Sequence, residues 1–268
     1  MGFGERLVEA GRAHGRLCVG IDPHSALLSA WGLGETVEGL REFSEICVEA
    51  FAGHVALIKP QVAFYERFGS AGFAVLEQTL KALREAGSIV VADAKRGDIG
   101  STMQGYASAW LEPGGALEAD ALTLTPFLGV GSLAPAIEMA QRAGKGVFVM
   151  AANSNPEAQS FQAQECEGMS ISQQMVDACA KFNTGEDVGA VGVVVGATVV
   201  KPPRLDHLNG PVLLPGVGAQ GGTLERVLAI AGDGAHLFFP NVSRSVLSAG
   251  PDVNELRKCA FELGKRLK

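Results

Sequence analysis

Short, β-branched apolar runs recur along this chain, and between most of them lies a segment with helical apolar periodicity and charges on one face. That alternation constrains the fold more than any other feature. Eight runs can be counted: 17–22, 54–60, 88–95 and 121–127 in the first half, then 146–153, 191–198, 211–217 and 236–242. Each is apolar nearly throughout rather than at every second residue, so both faces of the strand are covered, as in a parallel sheet beneath helices. Helices are predicted over 37–52, 71–86, 132–143, 170–182, 224–231 and from 253 to the C-terminus. Gly53, Gly87, Gly144 and Gly232 stand where a left-handed residue ends a helix before the next strand. The chain has 35 glycines in 268 residues, about 13% against a usual ~7%, which fits tight turns and ligand loops. No linker or composition shift divides it. The expectation is an α/β protein with one domain over 1–268, a (β/α)8 TIM barrel with an extra N-terminal helix over about 1–15 across its floor. An open α/β sheet is the alternative.

Composition removes several function classes. With 22 Lys and Arg against 29 Asp and Glu, the net charge is −7, which argues against a nucleic-acid surface because such a surface gathers cations to neutralise phosphates. Glu5, Arg6, Glu9 and Arg12 stand where a signal peptide has its apolar core. The uncharged run 188–200 is broken by Gly189, Gly192 and Gly196 and falls short of the about 20 residues of a spanning helix. A cytoplasmic location with no membrane partner is therefore expected. Cys18, Cys47, Cys166, Cys179 and Cys259 are odd in number and without a C-x-x-C pair, and the five histidines show no metal-ligand spacing. Neither a disulfide frame nor a zinc site is expected.

In a (β/α)8 barrel the active site lies at the C-terminal ends of the strands, and here those ends are polar. They carry Asp22, Lys59, Asp93, Lys95 and Asp98 in the first half, then Asn153, Ser154, the loop PGVGAQGG from Pro215, and Ser243 with Arg244. The densest stretch is DAKRGDIGST, 93–102. Asp93 and Lys95 are two apart, so on a strand both point to the same side. With Lys59 and Asp98 they make an alternating-charge cluster in which each member perturbs its neighbours' pKa; a surface salt-bridge patch is the bland alternative. Backbone amides of the glycine loop and the Arg244 guanidinium together suggest a phosphate site after strands seven and eight. The stretch 155–172 reads as a long loop, either a lid or variable surface.

These motifs resemble the orotidine 5′-monophosphate decarboxylase family in its longer bacterial branch, over essentially the whole barrel. The most specific match is Asp93-x-Lys95-x-x-Asp98-Ile99-x-x-Thr102, with LCVGIDP, IKPQ, PGVGAQGG and the final arginine in the family's order. Sister sugar-phosphate lyases share the D-x-K-x-x-D pattern but carry an acid where Lys59 stands. The resemblance implies decarboxylation at C6 of orotidine 5′-monophosphate to UMP and CO2, the last step of de novo UMP biosynthesis, with no metal and no cofactor. It implies that Asp93 disfavours the departing carboxylate, that Lys95 stabilises the carbanion and protonates C6, and that Lys59 and Asp98 complete the network. It further implies that Gln220 and Arg244 grip the phosphate, that Pro215 lies beside the base, that Asp22 meets the ribose and that Ser154 reads the pyrimidine amide edge. Ile99 belongs to the same substrate-binding motif. A homodimer follows from the resemblance, with Asp98 and Thr102 reaching the neighbouring subunit's site. The chain departs from the family at Ser243, where glycine is usual, and from the family's shorter members at Asn153 in NSNP, whose role the resemblance leaves open. Two other readings stand beside this one: a metal-dependent aldolase or sugar-phosphate decarboxylase on the same barrel, and a phosphate-ligand binding barrel without chemistry.

Overall fold

In the computed structural model, which describes residues 1–185, 187–218 and 221–267, the eight apolar runs pair as parallel strands. They are β1 (Cys18–Ile21), β2 (Leu57–Pro60), β3 (Ile89–Arg96), β4 (Ala121–Leu124), β5 (Gly146–Ala152), β6 (Val191–Val195), β7 (Val212–Pro215) and β8 (Phe238–Val242). Each strand pairs with its neighbours in sequence, and β8 pairs with β1 through Cys18 opposite Asn241, so the sheet closes into a barrel with no free edge. Closure disposes of the open-sheet alternative.

Residues alternate along each strand between two buried clusters, as the pleat requires. Cys18, Leu57, Phe148 and Phe239 point into the barrel, while Val19, Ile58, Val147 and Phe238 face the helices. The N-terminal helix Phe3–His14 lies across the floor, as its position in the sequence suggested. Its Phe3 meets Phe148 edge-on at 6.1 Å between ring centroids, and the Phe3 ring occupies the place a side chain on Gly146 would take. Burying an aromatic plug of this kind contributes about 2–3 kcal/mol.

Three details depart from the sequence reading. Helix Gly100–Leu111 follows β3, although GSTMQGYASAWL carries no charged face to mark it. The helix expected over 132–143 begins as a 3-10 turn, Val130–Leu133, before Ala134–Arg142. The expected loop 155–172 contains helix Pro156–Gln162 and a small antiparallel hairpin, Glu165–Cys166 with Met169–Ser170; that helix buries none of its residues, so it has no apolar stripe to read. Between β6 and β7 there is no helix, in keeping with the sequence, where none is expected between 182 and 224: Pro202 and Pro203 interrupt the span and cannot sit inside one. The Arg226 guanidinium helps hold that span by donating to the Val199 carbonyl at 2.9 Å. Among the described residues no helix is long and apolar enough to cross a membrane.

Candidate active site

Inward parity carries the strands from core to chemistry. On β2, β3, β4, β7 and β8 the inward residues Leu57, Val91, Ala121, Leu213 and Phe239 are buried. Two residues further on come Lys59, Asp93, Thr123, Pro215 and Asn241, all of which line a cavity of about 280 Å³ at the C-terminal mouth. On β1 the same position is Gly20. A side chain there would collide with the Ser243 hydroxyl, so the serine found in place of the usual glycine is accommodated by an absent side chain opposite it.

The centre of the cavity is Asp93, 7% exposed. Its Oδ2 accepts from Lys59 Nζ at 2.6 Å and Gln61 Nε2 at 3.0 Å, and its Oδ1 accepts from Lys95 Nζ at 2.5 Å and Thr123 Oγ1 at 3.0 Å. Burial alone would raise its pKa, but the charges and hydrogen bonds of Lys59 and Lys95 hold the carboxyl well below the usual carboxylate range. Asp93 is thus a fixed negative charge with every lone-pair direction engaged. Lys59, 6% exposed, is pressed toward neutrality by burial, yet Asp93 and Asp22 outweigh that and keep its pKa above an ordinary lysine's. Breaking so buried a pair by removing one partner costs about 3–5 kcal/mol. Lys95 differs from Lys59 in access, since 42% of its side chain is exposed and the ammonium faces both Asp93 and the open cavity. Its backbone is left-handed, with φ +50°, in a stretch where the β3–β4 register shifts between Ala92 and Arg96. Beneath the cluster the Cys18 thiol is pushed up to about 12 by burial and the nearby carboxylates, so it stays neutral.

Around this cluster stand the other polar strand ends. Asp22 lines the cavity, and its buried Oδ1 meets no hydrogen-bond donor among the described residues; a buried acceptor of that kind is suited to a ligand hydroxyl. Ser154 and Asn153 form the wall after β5. Asn153 is clasped by Gln162, whose Oε1 accepts from the Asn153 N–H at 2.6 Å and whose Nε2 donates to its Oδ1 at 3.0 Å. Beyond β7 the chain turns tightly through Gly216 and Gly218, with the Gly218 N–H donating to the Gly222 carbonyl at 2.8 Å. Gln220 lies outside the described residues. Arg244 opens the short helix Arg244–Leu247 after β8, lines the cavity and forms no ion pair among the described residues. Three cations, Lys59, Lys95 and Arg244, thus meet two anions, Asp22 and Asp93. The mouth is suited to a ligand that is itself anionic.

One part of the expected cluster does not gather. Asp98, Ile99 and Thr102 are absent from the cavity wall of their own chain, because the chain turns outward after β3. Asp98 instead accepts from the Ile99 N–H at 2.8 Å, Ile99 is 61% exposed and Thr102 sits exposed on the first turn of helix Gly100–Leu111. Conversely, Gln61, Thr123 and Asn241 belong to the site without having been singled out in the sequence. Parity could have found two of them: Thr123 and Asn241 are polar letters at inward positions of otherwise apolar strands. Among the described residues, no three or more His, Cys, Asp or Glu side chains are gathered as a metal-ligand set.

Comparison with known proteins adds a family to this geometry. Residues 15–259 match the orotidine 5′-phosphate decarboxylase / HUMPS family. The chain is 61% identical over 262 residues to an orotidine 5′-phosphate decarboxylase of Corynebacterium glutamicum, covering 96% of this chain and 94% of that one. A crystal structure described as this enzyme from Streptomyces avermitilis superposes with a TM-score of 0.95 at 49% identity, covering 99% of this chain and 94% of the other. The Leishmania donovani OMP decarboxylase structure gives a TM-score of 0.79 at 30% identity, covering 100% and 98%.

Proposed function

The chain belongs to the orotidine 5′-phosphate decarboxylase / HUMPS family, and we propose that the strand-end cluster around Asp93 is the machinery with which it decarboxylates orotidine 5′-monophosphate to UMP and CO2 in pyrimidine biosynthesis. The observation that carries the assignment of roles is the Lys59–Asp93–Lys95 array, a buried carboxylate held between two ammonium groups at 2.6 and 2.5 Å.

Loss of CO2 breaks the bond at C6 and leaves the electron pair there in the plane of the ring, orthogonal to the π system. No ring carbonyl takes up that pair directly. Enzymes lower barriers by about 8–23 kcal/mol, and here the reduction comes from charges already in position before the bond breaks. Asp93 cannot be neutralised while four donors hold it, so it disfavours the substrate carboxylate beside it. Lys95 stabilises the charge developing at C6 and delivers a proton to it, then regains one from water. Lys59 keeps Asp93 ionised and, with Asp22, meets the ribose hydroxyls. Ser154 and Pro215 hold the base. Arg244, with Gln220, grips the 5′-phosphate, and binding energy gathered at that remote group is available to the reacting centre. In this sequence of steps the proton comes from a lysine and the stabilising charge from fixed side chains, so neither a metal nor another cofactor takes part.

Absorbance of orotidine 5′-monophosphate with the purified protein, with and without excess EDTA, tests this directly, since loss of the carboxylate changes the ring chromophore. Equal turnover in both samples is expected. Turnover lost in EDTA would replace this reading with a metal-dependent one, and tight nucleotide binding without turnover would leave only a binding barrel.

Asp98, Ile99 and Thr102 complete the proposal as contributions to a neighbouring subunit's site in a two-fold homodimer, the commonest closed assembly. What supports this is that all three lie outside the cavity of their own chain, with Ile99 61% exposed and Thr102 exposed as well. Mixing inactive Lys95→Ala and Asp98→Ala proteins should restore activity to about a quarter of wild type, because half of randomly paired dimers are mixed and each mixed dimer has one intact site. No recovery after subunit exchange would place Asp98 elsewhere. The biosynthetic role favours the cytoplasm as the place of action.

A further inference from the structure

The Lys95 backbone poses a question that its side-chain chemistry leaves unanswered. A non-glycine residue at φ +50° is sparsely populated and persists only where its surroundings hold it there. The β3–β4 ladder does not hold it, because the pairing jumps from Ala92 opposite Leu122 to Arg96 opposite Leu124. The Lys95 N–H donates instead to a side chain, the Oγ1 of Thr123, at 2.9 Å. The same hydroxyl donates its own proton to Asp93 Oδ1 at 3.0 Å, the oxygen that also accepts from Lys95 Nζ.

We propose that Thr123 is a positioning residue for the decarboxylation, its one hydroxyl locking the left-handed Lys95 backbone to the Asp93 carboxylate so that the lysine ammonium is held at the reacting centre. The inference rests on the reading of Lys95 and Asp93 as the reacting pair. A hydroxyl has one proton to give and can accept through its lone pairs. Asp93, held ionised, can only accept, and the Lys95 N–H can only donate, so the direction of both bonds is determined. The result is a closed ring: Lys95 N–H to Thr123, Thr123 to Asp93, and the Lys95 ammonium back to Asp93. Thr123 is 1% exposed and inward-facing, with apolar neighbours along β4. A hydrophobic residue would fill the same volume, and valine is nearly the same shape. What valine cannot do is accept from one partner and donate to the other.

The test compares Thr123→Val, Thr123→Ser and Lys95→Ala, with kcat, KM and UMP affinity measured separately. Thr123→Val should lower kcat by about 10²-fold, the scale of loss when a reacting group is misplaced by about 1 Å, while KM and UMP affinity change by less than about threefold because the phosphate and ribose contacts are untouched. Thr123→Ser keeps the hydroxyl and should return kcat to within about fivefold of wild type. A role in packing alone predicts the opposite ranking, with the valine variant near wild type and the serine variant impaired, and that result would overturn the proposal. Should the valine variant not fold, Thr123→Ala, which leaves room for a water beside the Lys95 amide, serves in its place: kcat within twofold of wild type sinks the proposal, and a selective fall in kcat supports it. Lys95→Ala separates the two levels of inference. If it is inactive while Thr123→Val is fully active, only the role of Thr123 fails; if it is active, the reading of the reacting pair fails and the positioning role with it.

Discussion

Replacing Lys95 by alanine is expected to lower kcat by about 10⁴-fold or more, since it removes at once a positioned proton donor and a preorganised charge. That factor corresponds to about 5.4 kcal/mol of barrier. Folding should survive. Part of the Lys95 side chain is exposed, and after its loss Asp93 still accepts from Lys59, Gln61 and Thr123, so no buried carboxylate is left without donors. A thermal midpoint close to wild type together with lost turnover is the expected pair of results. Lys95→Arg adds resolution, because a guanidinium keeps the positive charge but does not give up a proton. It should stay inactive if proton delivery is essential and recover part of the rate if charge alone matters. Turnover of Lys95→Ala within tenfold of wild type would remove Lys95 from the chemistry. Lys59 is a poorer place to ask the same question, since its removal strands Asp93 in the interior and confounds activity with stability.

The second large effect is expected at the other end of the substrate. Arg244→Ala should lower kcat/KM by about 10³-fold, because hydrogen bonds to charged groups contribute about 1.5–3 kcal/mol each and a guanidinium makes two of them to a phosphate. Arg244 is suited to the role because it opens a helix at the cavity mouth and is not engaged in an ion pair among the described residues. Its effect should depend on the group it is assigned to bind. With orotidine, which lacks the phosphate, the wild type and the Arg244→Ala protein should turn over at the same reduced rate, the non-additivity expected of two groups that act through each other. A deficit that persists with orotidine would mean that the arginine acts on the barrel rather than on the phosphate. Arg244→Lys should recover only part of the loss, since an ammonium is a point charge without the bidentate fork.

Most of the architecture was legible in the letters of the chain. Fully covered parallel strands must be apolar on both faces, and eight such runs separated by helix-length spans closed into a barrel, with the floor helix where it was expected. The elements that escaped notice are those without a partition between apolar and polar faces. Helix Gly100–Leu111 has no charged stripe, and helix Pro156–Gln162 buries nothing. Between β6 and β7 the sequence itself marks the absence of a helix, because Pro202 and Pro203 stand in the span and break any helical turn there.

At the site the division is similar. Charged residues at the ends of apolar strands are conspicuous, and Asp22, Lys59, Asp93, Lys95, Ser154, Pro215 and Arg244 do come together around one cavity. Asp98, Ile99 and Thr102 stand only a few residues from Lys95 in the chain yet point away from it. Thr123 and Asn241 went unremarked because a single threonine or asparagine in a strand has no charge to announce it. The sequence by itself determined which side chains are available and on which face of each strand they lie, since strand parity follows from local backbone geometry. Only the tertiary structure decided their partners: that Asp93 takes four donors from three strands and the loop after β2, that Gly20 makes room for Ser243, and that Lys95 turns left-handed onto Thr123. Apart from the Lys95–Asp93 pair, those contacts join residues at least 28 positions apart; pairing of neighbouring parallel strands brings most of them together, and closure of β8 onto β1 brings Ser243 to Gly20.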